Sequence, residues 1–405
     1  MKNLKIIGKI ILALLATFIF SLPSYILIGF SFKIFTLYPI ADVFLAVMLL
    51  TLIVFVWLIL FNKRHAKRII QWFLIVEIIL AIPISIIAIK WNYDANVIPQ
   101  ISENTSRAFL TEYAPNSTSK IVKQQQNPLW NPDDLPKLDG STALYPLYSA
   151  FAYNLIGDAD VNEPPADMGE NIKAVPIFDE KVACTQTDGA YQNLVAGSAE
   201  VIFVPEPSDN QKEYAAKNNL TYEFTPVGKD AFVFLANSKN KVDNLSTEQI
   251  KQIYSGEITN WKELGGKNKE IKAYQREEDS GSQTIFNKIM SGTNVMEAPT
   301  EDYVGGMWEL MNRVSSYKNY DGAIGYSFRF FTTEMVRDNQ IKLLSIDGVE
   351  PTEVNIINDS YPFSDNFYAV TIKERNNEKT RKFIEFVTSE AGQDIVTKTG
   401  YVAVD

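Results

Sequence analysis

The chain has 405 residues, of which 38 are Lys or Arg and 48 are Asp or Glu, giving a net charge of −10. This length is enough for more than one domain. The single cysteine and single histidine exclude a disulfide framework and a zinc or Cys–His catalytic site. Cys184 is predicted to be a small buried apolar side chain, and neither a cofactor nor a nucleic-acid partner is expected.

Charge and hydropathy divide the chain near residue 90. Residues 1–90 hold nine Lys or Arg against Asp42 and Glu77, a balance of +7, whereas the remainder carries −17. The same region contains three apolar runs, each long enough for the roughly 20 residues that a bilayer requires. A cleaved signal peptide is the alternative for the first run, but that run is long and two more follow it. The runs predict three transmembrane α-helices at 10–30, 39–61 and 69–89.

Basic residues beside these runs predict their orientation. The N-terminus MKNLKIIGK and the loop NKRHAKR at 62–68 are rich in Lys and Arg, which favours the cytoplasmic side. Three crossings then place everything after residue 90 outside the cytoplasm, in a multi-pass protein of the cell membrane. Glu77, inside the third span, is costly to ionise in lipid, so it is either functional or hydrogen-bonded to a neighbouring helix.

The rest of the chain has the pattern of a linker followed by a folded domain. Residues 91–136 are rich in Asn, Gln, Ser and Pro and predict an extracytoplasmic linker. From 137 to 405 short apolar strands alternate with amphipathic helices, which predicts an α/β fold with mainly parallel sheets. The predicted strands are 173–178, 199–204, 230–237, 269–274, 322–328 and 366–372. The predicted helices are 144–155, 190–197, 246–256, 282–290 and 380–400.

Three turns in this domain share one chemistry, a glycine with a hydroxyl residue directly before a predicted helix. They are DGSTALYPLY at 139–148, TDGAYQNLV at 187–195 and DSGSQTIF at 279–286, the last preceded by Arg276. A helix N-terminus offers unpaired amide donors and a partial positive charge, so each turn is suited to an anion. A helix cap also explains each turn taken alone. Because such turns meet at the carboxyl ends of strands in an open α/β sheet, the three together favour one shared site.

With GEITNWKELGG, DGAIGYSF and the terminal FVTSEAGQDIVTKTGYVAV, these turns make residues 137–405 resemble the solute-binding component of phosphate ABC transporters. The resemblance does not cover the membrane segment. It implies a two-lobed type II periplasmic-binding-protein fold that closes on a tetrahedral anion. The implied lobes are about 137–229 with 363–405 and about 230–362, with hinges near 230–237 and 361–370.

Matched motif by motif, the resemblance implies three ligand loops. Arg276 would supply the formal positive charge, and nearby hydroxyls and amides would supply directional donors. Hydrogen phosphate also needs a proton acceptor, and the family's aspartate for this role falls on Pro205, so Glu206 or Asp188 would have to accept the proton. The implied phosphate-binding residues are Ser141, Thr142, Ala143, Thr187, Asp188, Gly189, Glu206, Arg276, Ser280, Gly281 and Ser282.

The leading hypothesis is a membrane-anchored extracytoplasmic protein that captures phosphate, or a similar oxyanion, and presents it to an ABC transporter permease. A second hypothesis is a cell-surface oxyanion sensor that signals to a partner through its transmembrane helices. The third is an extracellular phosphatase. We do not expect an enzyme, because phosphoryl transfer normally needs metal-binding acids or a nucleophile with a nearby base, and the seryl turns have no histidine companion outside the membrane.

Overall fold

The fold is that of a computed structural model, which describes residues 55, 67–68, 71–72, 75, 110, 112–124, 129–158, 181–297, 303–304, 307–315 and 322–404. The chain divides into two compact units, 1–100 and 101–405. The described residues of the first unit are helical. Apart from four of these residues, the three predicted transmembrane spans lie outside the described part of the chain, as does Glu77. Among the described residues, no helix is both long and apolar enough to cross a bilayer.

Strands and helices alternate through the second unit, as the sequence predicts. The strands are β1 (Leu138–Gly140), β2 (Val201–Val204), β3 (Tyr222–Asn237), β4 (Asn244–Leu245), β5 (Lys272–Ala273), β6 (Gln275–Arg276), β7 (Tyr303–Val304), β8 (Ala323–Phe328), β9 (Ile341–Leu343), β10 (Ser345–Ile346), β11 (Ser364–Ile372) and β12 (Val402–Ala403). The α-helices are α1 (Tyr145–Ile156), α2 (Gln186–Ala196), α3 (Asp209–Lys217), α4 (Thr247–Tyr254), α5 (Gly281–Ile289), α6 (Met307–Ser315), α7 (Glu353–Ile357), α8 (Glu378–Thr388) and α9 (Glu390–Thr399). The predicted strand at 173–178 lies outside the described residues.

The long strand β3 organises the main sheet. Its first part pairs antiparallel with β11 and β12, and its second part pairs antiparallel with β8 and β9. On one side β11 continues to β2 and then β1, and on the other side β8 continues to β5, giving the order β1-β2-β11-β3-β8-β5. We call the strands on the β2 side the first half of the sheet and those on the β8 side the second half.

The sheet is mixed, which corrects the prediction of mainly parallel pairing. Only β1 with β2 and β5 with β8 are parallel among the described strands of this sheet. The antiparallel pairs arise because β3 runs through both halves, with β11 beside its first part, so that Tyr222 pairs with Ile372 and Ala231 with Ser364. Pairing between segments so distant in sequence leaves no local signal, so periodicity alone does not predict it.

Each half has its own main hydrophobic core, and a third, smaller cluster is formed largely by α2, β2 and β11. In the first core Tyr148 of α1 stacks on Phe203 of β2, with ring centroids 5.3 Å apart. In the second core Phe286 of α5 stacks on Tyr326 of β8 at 4.6 Å. Aromatic pairs of this kind contribute about 1 kcal/mol beyond their buried area. They hold in place the two helices that follow the first and third predicted ligand loops.

Part of the predicted linker at 91–136 packs into the first core. Asn154 of α1 holds this segment, because its Nδ2 donates to the Val122 carbonyl at 2.8 Å and its Oδ1 accepts from the Gln124 amide at 2.7 Å. From residue 110 onward the described chain is therefore part of the domain rather than a free tether. The buried residues of this segment are Leu110, Tyr113, Ala114, Ile121 and Leu135.

The single helix predicted at 380–400 is two helices, α8 and α9. Ser389 separates them in an extended conformation, and its Oγ accepts a hydrogen bond from the Gly392 amide at 3.3 Å. A serine that caps a new helix interrupts the ladder of the previous one. The amphipathic period continues across this break, which explains why the sequence pattern does not reveal it.

Candidate anion-binding site

The first predicted loop lies between β1 and α1. Ser141 donates its backbone N–H to the Phe203 carbonyl at 2.9 Å, and a 3₁₀ turn at Thr142–Leu144 leads into α1. Ser141 is only 4% exposed, and its Oγ has no hydrogen-bond partner among the described residues. An unsatisfied buried hydroxyl costs about 1–3 kcal/mol. The first loop therefore presents a buried polar group that a ligand oxygen would satisfy.

The second predicted loop is the first turn of α2. Thr187, Asp188 and Gly189 all belong to this helix, which begins one residue before Thr187 rather than after the polar turn. The first amides of a helix have no intrahelical acceptor, so this turn directs N–H groups outward. The Asp188 carboxylate accepts from Gln192 Nε2 at 2.7 Å and from Gln211 Nε2 at 3.2 Å.

Asp139 joins the first loop to the second. This β1 residue is 1% exposed, and its carboxylate accepts from the Gly140 amide at 2.7 Å, from Asn193 of α2 at 2.8 Å, and from Thr185. Burial raises the pKa of Asp139, while these hydrogen bonds oppose the shift. The sequence placed Asp139 in a ligand turn, whereas the structure uses its side chain to fix two loops together.

The third predicted loop surrounds the N-terminus of α5. Ser280 is the N-cap, and its Oγ accepts from the Gln283 amide at 3.3 Å, as the capping interpretation predicts. Gly281 and Ser282 form the first helical turn, where their amides lack intrahelical acceptors. Capping by Ser280 therefore leaves these donors available, so a cap and an anion site are compatible here.

Arg276 lies beside this turn on β6 and is only 5% exposed. Its backbone N–H donates to Gln283 Oε1 at 2.9 Å and to the Tyr326 hydroxyl at 3.0 Å, and its Nη1 lies 3.5 Å from Ser282 Oγ. Burial lowers the pKa of Arg276 to about 10, which leaves the guanidinium charged at neutral pH. Nearby Glu277 partly offsets that shift, and Glu278 accepts from Asn287 at 3.0 Å. The Arg276 guanidinium is thus a buried positive charge next to the first turn of α5.

The second and third loops touch each other. A Cβ added at Gly281 would lie 2.7 Å from Thr187 Oγ1 and 2.8 Å from Pro205 Cγ. Glycine is therefore the residue that permits this close approach. Since Gly281 belongs to α5 and Thr187 to α2, the structure brings together two of the three predicted loops.

A cleft next to this contact reaches the first loop. It encloses about 380 Å³, including space open to solvent. Pro205 is shared between the cleft and the Gly281 contact. The first loop therefore lines the cleft, whereas the predicted residues of the second and third loops do not line it and meet beside its Pro205 wall. The cleft is lined by Ser141, Ala143, Leu144, Pro205, Asp230, Phe232, Ile285, Phe328, Asp365, Asn366 and Phe367.

Asp230 is a cleft residue that the sequence argument did not select. Burial raises the pKa of this carboxyl to about 7, although it accepts from the Ala231 amide at 2.8 Å and the Phe330 amide at 3.3 Å. Its signal in the sequence is an acid at the start of the apolar run DAFVFLAN, which predicts a buried strand. An acid at a strand end that becomes buried is a candidate functional group.

Glu206 lies at the edge of the site and has a cationic partner. Lys288 of α5 contacts Glu206 at 3.2 Å and Asp365 of β11 at 3.0 Å. The two predicted proton acceptors, Glu206 and Asp188, therefore both already accept hydrogen bonds from other side chains. Among the described residues, no group of three or more His, Cys, Asp or Glu is arranged to hold a metal ion.

Residues 139–391 match the model of a family described as the PBP superfamily domain. The chain is 29% identical over 273 residues to phosphate-binding protein PstS of Bacillus subtilis (strain 168), covering 66% of this chain and 80% of that protein. It is 28% identical over 300 residues to phosphate-binding protein PstS of Borreliella burgdorferi, covering 71% and 95%. It is also similar to the crystal structure of a putative phosphate ABC transporter substrate-binding protein from Clostridium perfringens with bound phosphate. That likeness has 26% identity and a TM-score of 0.52, and covers 67% of this chain and 99% of the other.

Proposed function

This chain belongs to the PBP superfamily, and on that premise we propose that it is a membrane-anchored extracytoplasmic protein that captures phosphate for an ABC transporter. Its similarity to proteins named as phosphate-binding supports phosphate as the ligand. The Clostridium protein, whose structure contains phosphate, is named as a substrate-binding protein of an ABC transporter. These names support a binding protein rather than an enzyme.

The observation that carries the proposal is the buried Arg276 guanidinium beside the N-terminal turn of α5. The cation supplies charge attraction, and the amides of Gly281 and Ser282 supply directional donors to oxygen. Thr187, against Gly281, and Ser141, whose hydroxyl has no hydrogen-bond partner in the described part of the chain, add donors from the other half of the domain. A small oxyanion matches this set of donors better than a neutral ligand would.

Selection of hydrogen phosphate over sulfate would use a carboxylate that accepts the ligand's proton. Glu206 and Asp188 remain the proposed acceptors. Each already accepts hydrogen bonds from other side chains, but an ionised carboxylate has about four lone-pair positions and can accept another. Sulfate has no proton to donate at neutral pH, so the same carboxylate would repel it.

Lobe closure is also part of the proposal. The lobes would be 137–229 with 363–405, and 230–362, connected by the long strands β3 and β11. Closure would hold the first and second loops against the third, which the second loop already contacts at Gly281. The apolar runs at 10–30, 39–61 and 69–89 would anchor this domain to the outer side of the membrane and place it near its permease.

Calorimetric titration of the full-length protein with phosphate and sulfate tests the ligand assignment. We expect phosphate to bind more tightly than sulfate, and Arg276→Ala to weaken phosphate binding about 100-fold through loss of a buried charged partner. Arg381→Ala, on the exposed surface of α8, is the matched control and should leave binding unchanged. Equal or tighter sulfate binding would overturn the phosphate assignment, and no binding of either anion would overturn the site itself.

A deletion strain distinguishes the proposed transport role from sensing. Loss of phosphate uptake on deletion, restored by the wild-type chain but not by the Arg276→Ala variant, is the result expected of a transporter component. Unchanged uptake with an altered transcriptional response to phosphate would contradict the transport role and favour the sensor hypothesis.

A further inference from the structure

Helix α3, which follows β2, begins with a capping box that places one glutamine between the second and third predicted loops. Ser208 is the N-cap, and its Oγ accepts from the Gln211 amide at 3.2 Å. In return Gln211 Oε1 accepts from the Ser208 amide at 3.0 Å. Gln211 is only 3% exposed, so every polar atom of its side chain needs a partner.

The Nε2 group of Gln211 supplies the contacts to the ligand loops. It donates to Asp188 Oδ1 at 3.2 Å and to the Asp279 carbonyl at 3.0 Å. The amide orientation is fixed by chemistry, because the Ser208 N–H can only donate, whereas the Asp279 carbonyl can only accept. Asp188 follows Thr187 in the second loop and Asp279 precedes Ser280 in the third, so one side chain ties the two loops together.

The same turn of α3 also holds the Asp279 side chain. Ser208 Oγ donates to Asp279 Oδ1 at 2.6 Å, and Asn210 Nδ2 lies 3.2 and 3.1 Å from the two carboxylate oxygens. Asp279 has a φ of 65°, a left-handed conformation that is uncommon for a residue with a side chain. These contacts stabilise that conformation and so determine where the amides of Gly281 and Ser282 point.

Helix α3 connects β2 to β3, whereas α5 follows β6 and packs on β8. The Gln211 contacts therefore join the first half of the domain to the second. On the basis of the proposed function, we propose that Gln211 is a positioning residue of the oxyanion site, which locks the second and third loops together around bound phosphate and slows its release. Interactions made only in the closed arrangement lower the dissociation rate more than they change the association rate.

The substitution Gln211→Glu tests this role with little change in volume. The carboxylate can still accept from the Ser208 amide, which preserves the cap, but it replaces two donors with an oxygen facing Asp188 and the Asp279 carbonyl. Loss of two hydrogen bonds plus charge repulsion predicts phosphate dissociation at least about tenfold faster. Gln249→Glu is the matched control, because Ser246 and Gln249 form the same capping box at α4.

The measurement is the release of radiolabelled phosphate from full-length protein after addition of excess unlabelled phosphate, with the association rate measured in parallel. Melting temperatures without phosphate identify any variant that has lost its fold, and Gln211→Met then provides an uncharged replacement.

Faster release in the Gln211 variants, with a near-unchanged association rate and an unaffected Gln249→Glu protein, supports the proposal. Wild-type release rates in folded Gln211 variants, or equal effects of Gln211→Glu and Gln249→Glu, would overturn it. Failure of the wild-type protein to bind phosphate would instead overturn the proposed function.

Discussion

Asp139 accepts two hydrogen bonds from Thr185, one from the backbone amide at 2.8 Å and one from the hydroxyl at 2.6 Å. Thr185 is the N-cap residue of α2, and Asp139 lies on β1 just before Ser141. This contact therefore fixes the relative position of the first two candidate ligand loops. A carboxylate in this position acts through the loops that it joins and needs no contact with the ligand.

Replacing Asp139 with alanine should destabilise the protein by about 3 kcal/mol, because Thr185 and Asn193 would lose the hydrogen-bond acceptor that they share in a buried setting. Urea unfolding of the full-length protein measures this change. Asp133→Ala, in an exposed turn, is the control and should change stability by less than about 0.5 kcal/mol. An equal effect of the two substitutions would contradict the role given to Asp139.

Gly281→Ala should weaken phosphate binding about tenfold, since a methyl group would force Thr187 and Pro205 away from the α5 turn. Titration with phosphate measures the loss. The control is Gly348→Ala, where the φ of +83° makes alanine unfavourable but the added Cβ meets nothing within 4 Å. That control should lower stability and leave phosphate affinity unchanged, whereas unchanged affinity in Gly281→Ala would refute the close packing of the two loops as a requirement for binding.

Much of the secondary structure could be predicted because its signals are local. The segment SQTIFNKIM carries a helical pattern directly after Ser280, and the structure has α5 there with Ser280 as its cap. In contrast, β3 begins at Tyr222, eight residues before the predicted strand, because its early part is largely exposed and lacks an apolar run. What identifies that part as a strand is its pairing with β11, well over 100 residues away.

The site could be predicted only as three separate loops. Turn chemistry identified the loops that contain Ser141, Thr187 and Ser280, because helix N-termini have recognisable residues. It could not identify Gln211 or Lys288, whose contacts with the site are made by surface-like polar residues in helices. Their importance depends on which segments the sheet places side by side.

The contribution of Asp230 to the free energy of unfolding should fall as pH rises from about 4 to about 7. Burial raises the pKa of Asp230 from 3.8 to about 7, with the Arg329 charge opposing the shift. Between these values the unfolded chain is ionised at this position while the folded chain holds a proton. Ionisation thus favours unfolding as pH rises, and a shift of roughly three pKa units corresponds to about 4 kcal/mol.

Asp230→Asn tests this assignment, because an amide does not titrate. The free energy of unfolding at pH 8 minus that at pH 5 should be more positive in the variant than in the wild-type protein, because the variant lacks the ionisation of Asp230 that destabilises the folded state as pH rises. Asp133→Asn, at a side chain exposed to solvent, should keep the wild-type difference. A variant with the same pH dependence as the wild-type protein would show that Asp230 is ionised throughout.

Cys184 should react slowly with thiol reagents while the protein is folded. Burial raises the pKa of its thiol to about 12, so the reactive thiolate is scarce at pH 8, and the side chain is only 3% exposed. We expect labelling in buffer to be at least about 100-fold slower than in concentrated urea. Fast labelling of the folded protein, followed by absorbance of the released chromophore, would contradict burial of this residue.

Lys288 should contribute a small, salt-dependent stabilisation of the bound state. It connects α5 to Glu206 after β2 and to Asp365 of β11, but all three side chains are more than a third exposed, so solvent screening limits the effect to less than about 1 kcal/mol. Lys288→Met should speed phosphate release a few-fold in dilute buffer and have little effect in 1 M salt, where the screening length is about 3 Å. The control Lys382→Met removes an exposed pair with Glu378 within α8 and should leave release unchanged at both salt concentrations. A Lys288 effect that persists in 1 M salt would mean that its aliphatic chain, rather than its charge, joins α5 to the first half of the domain.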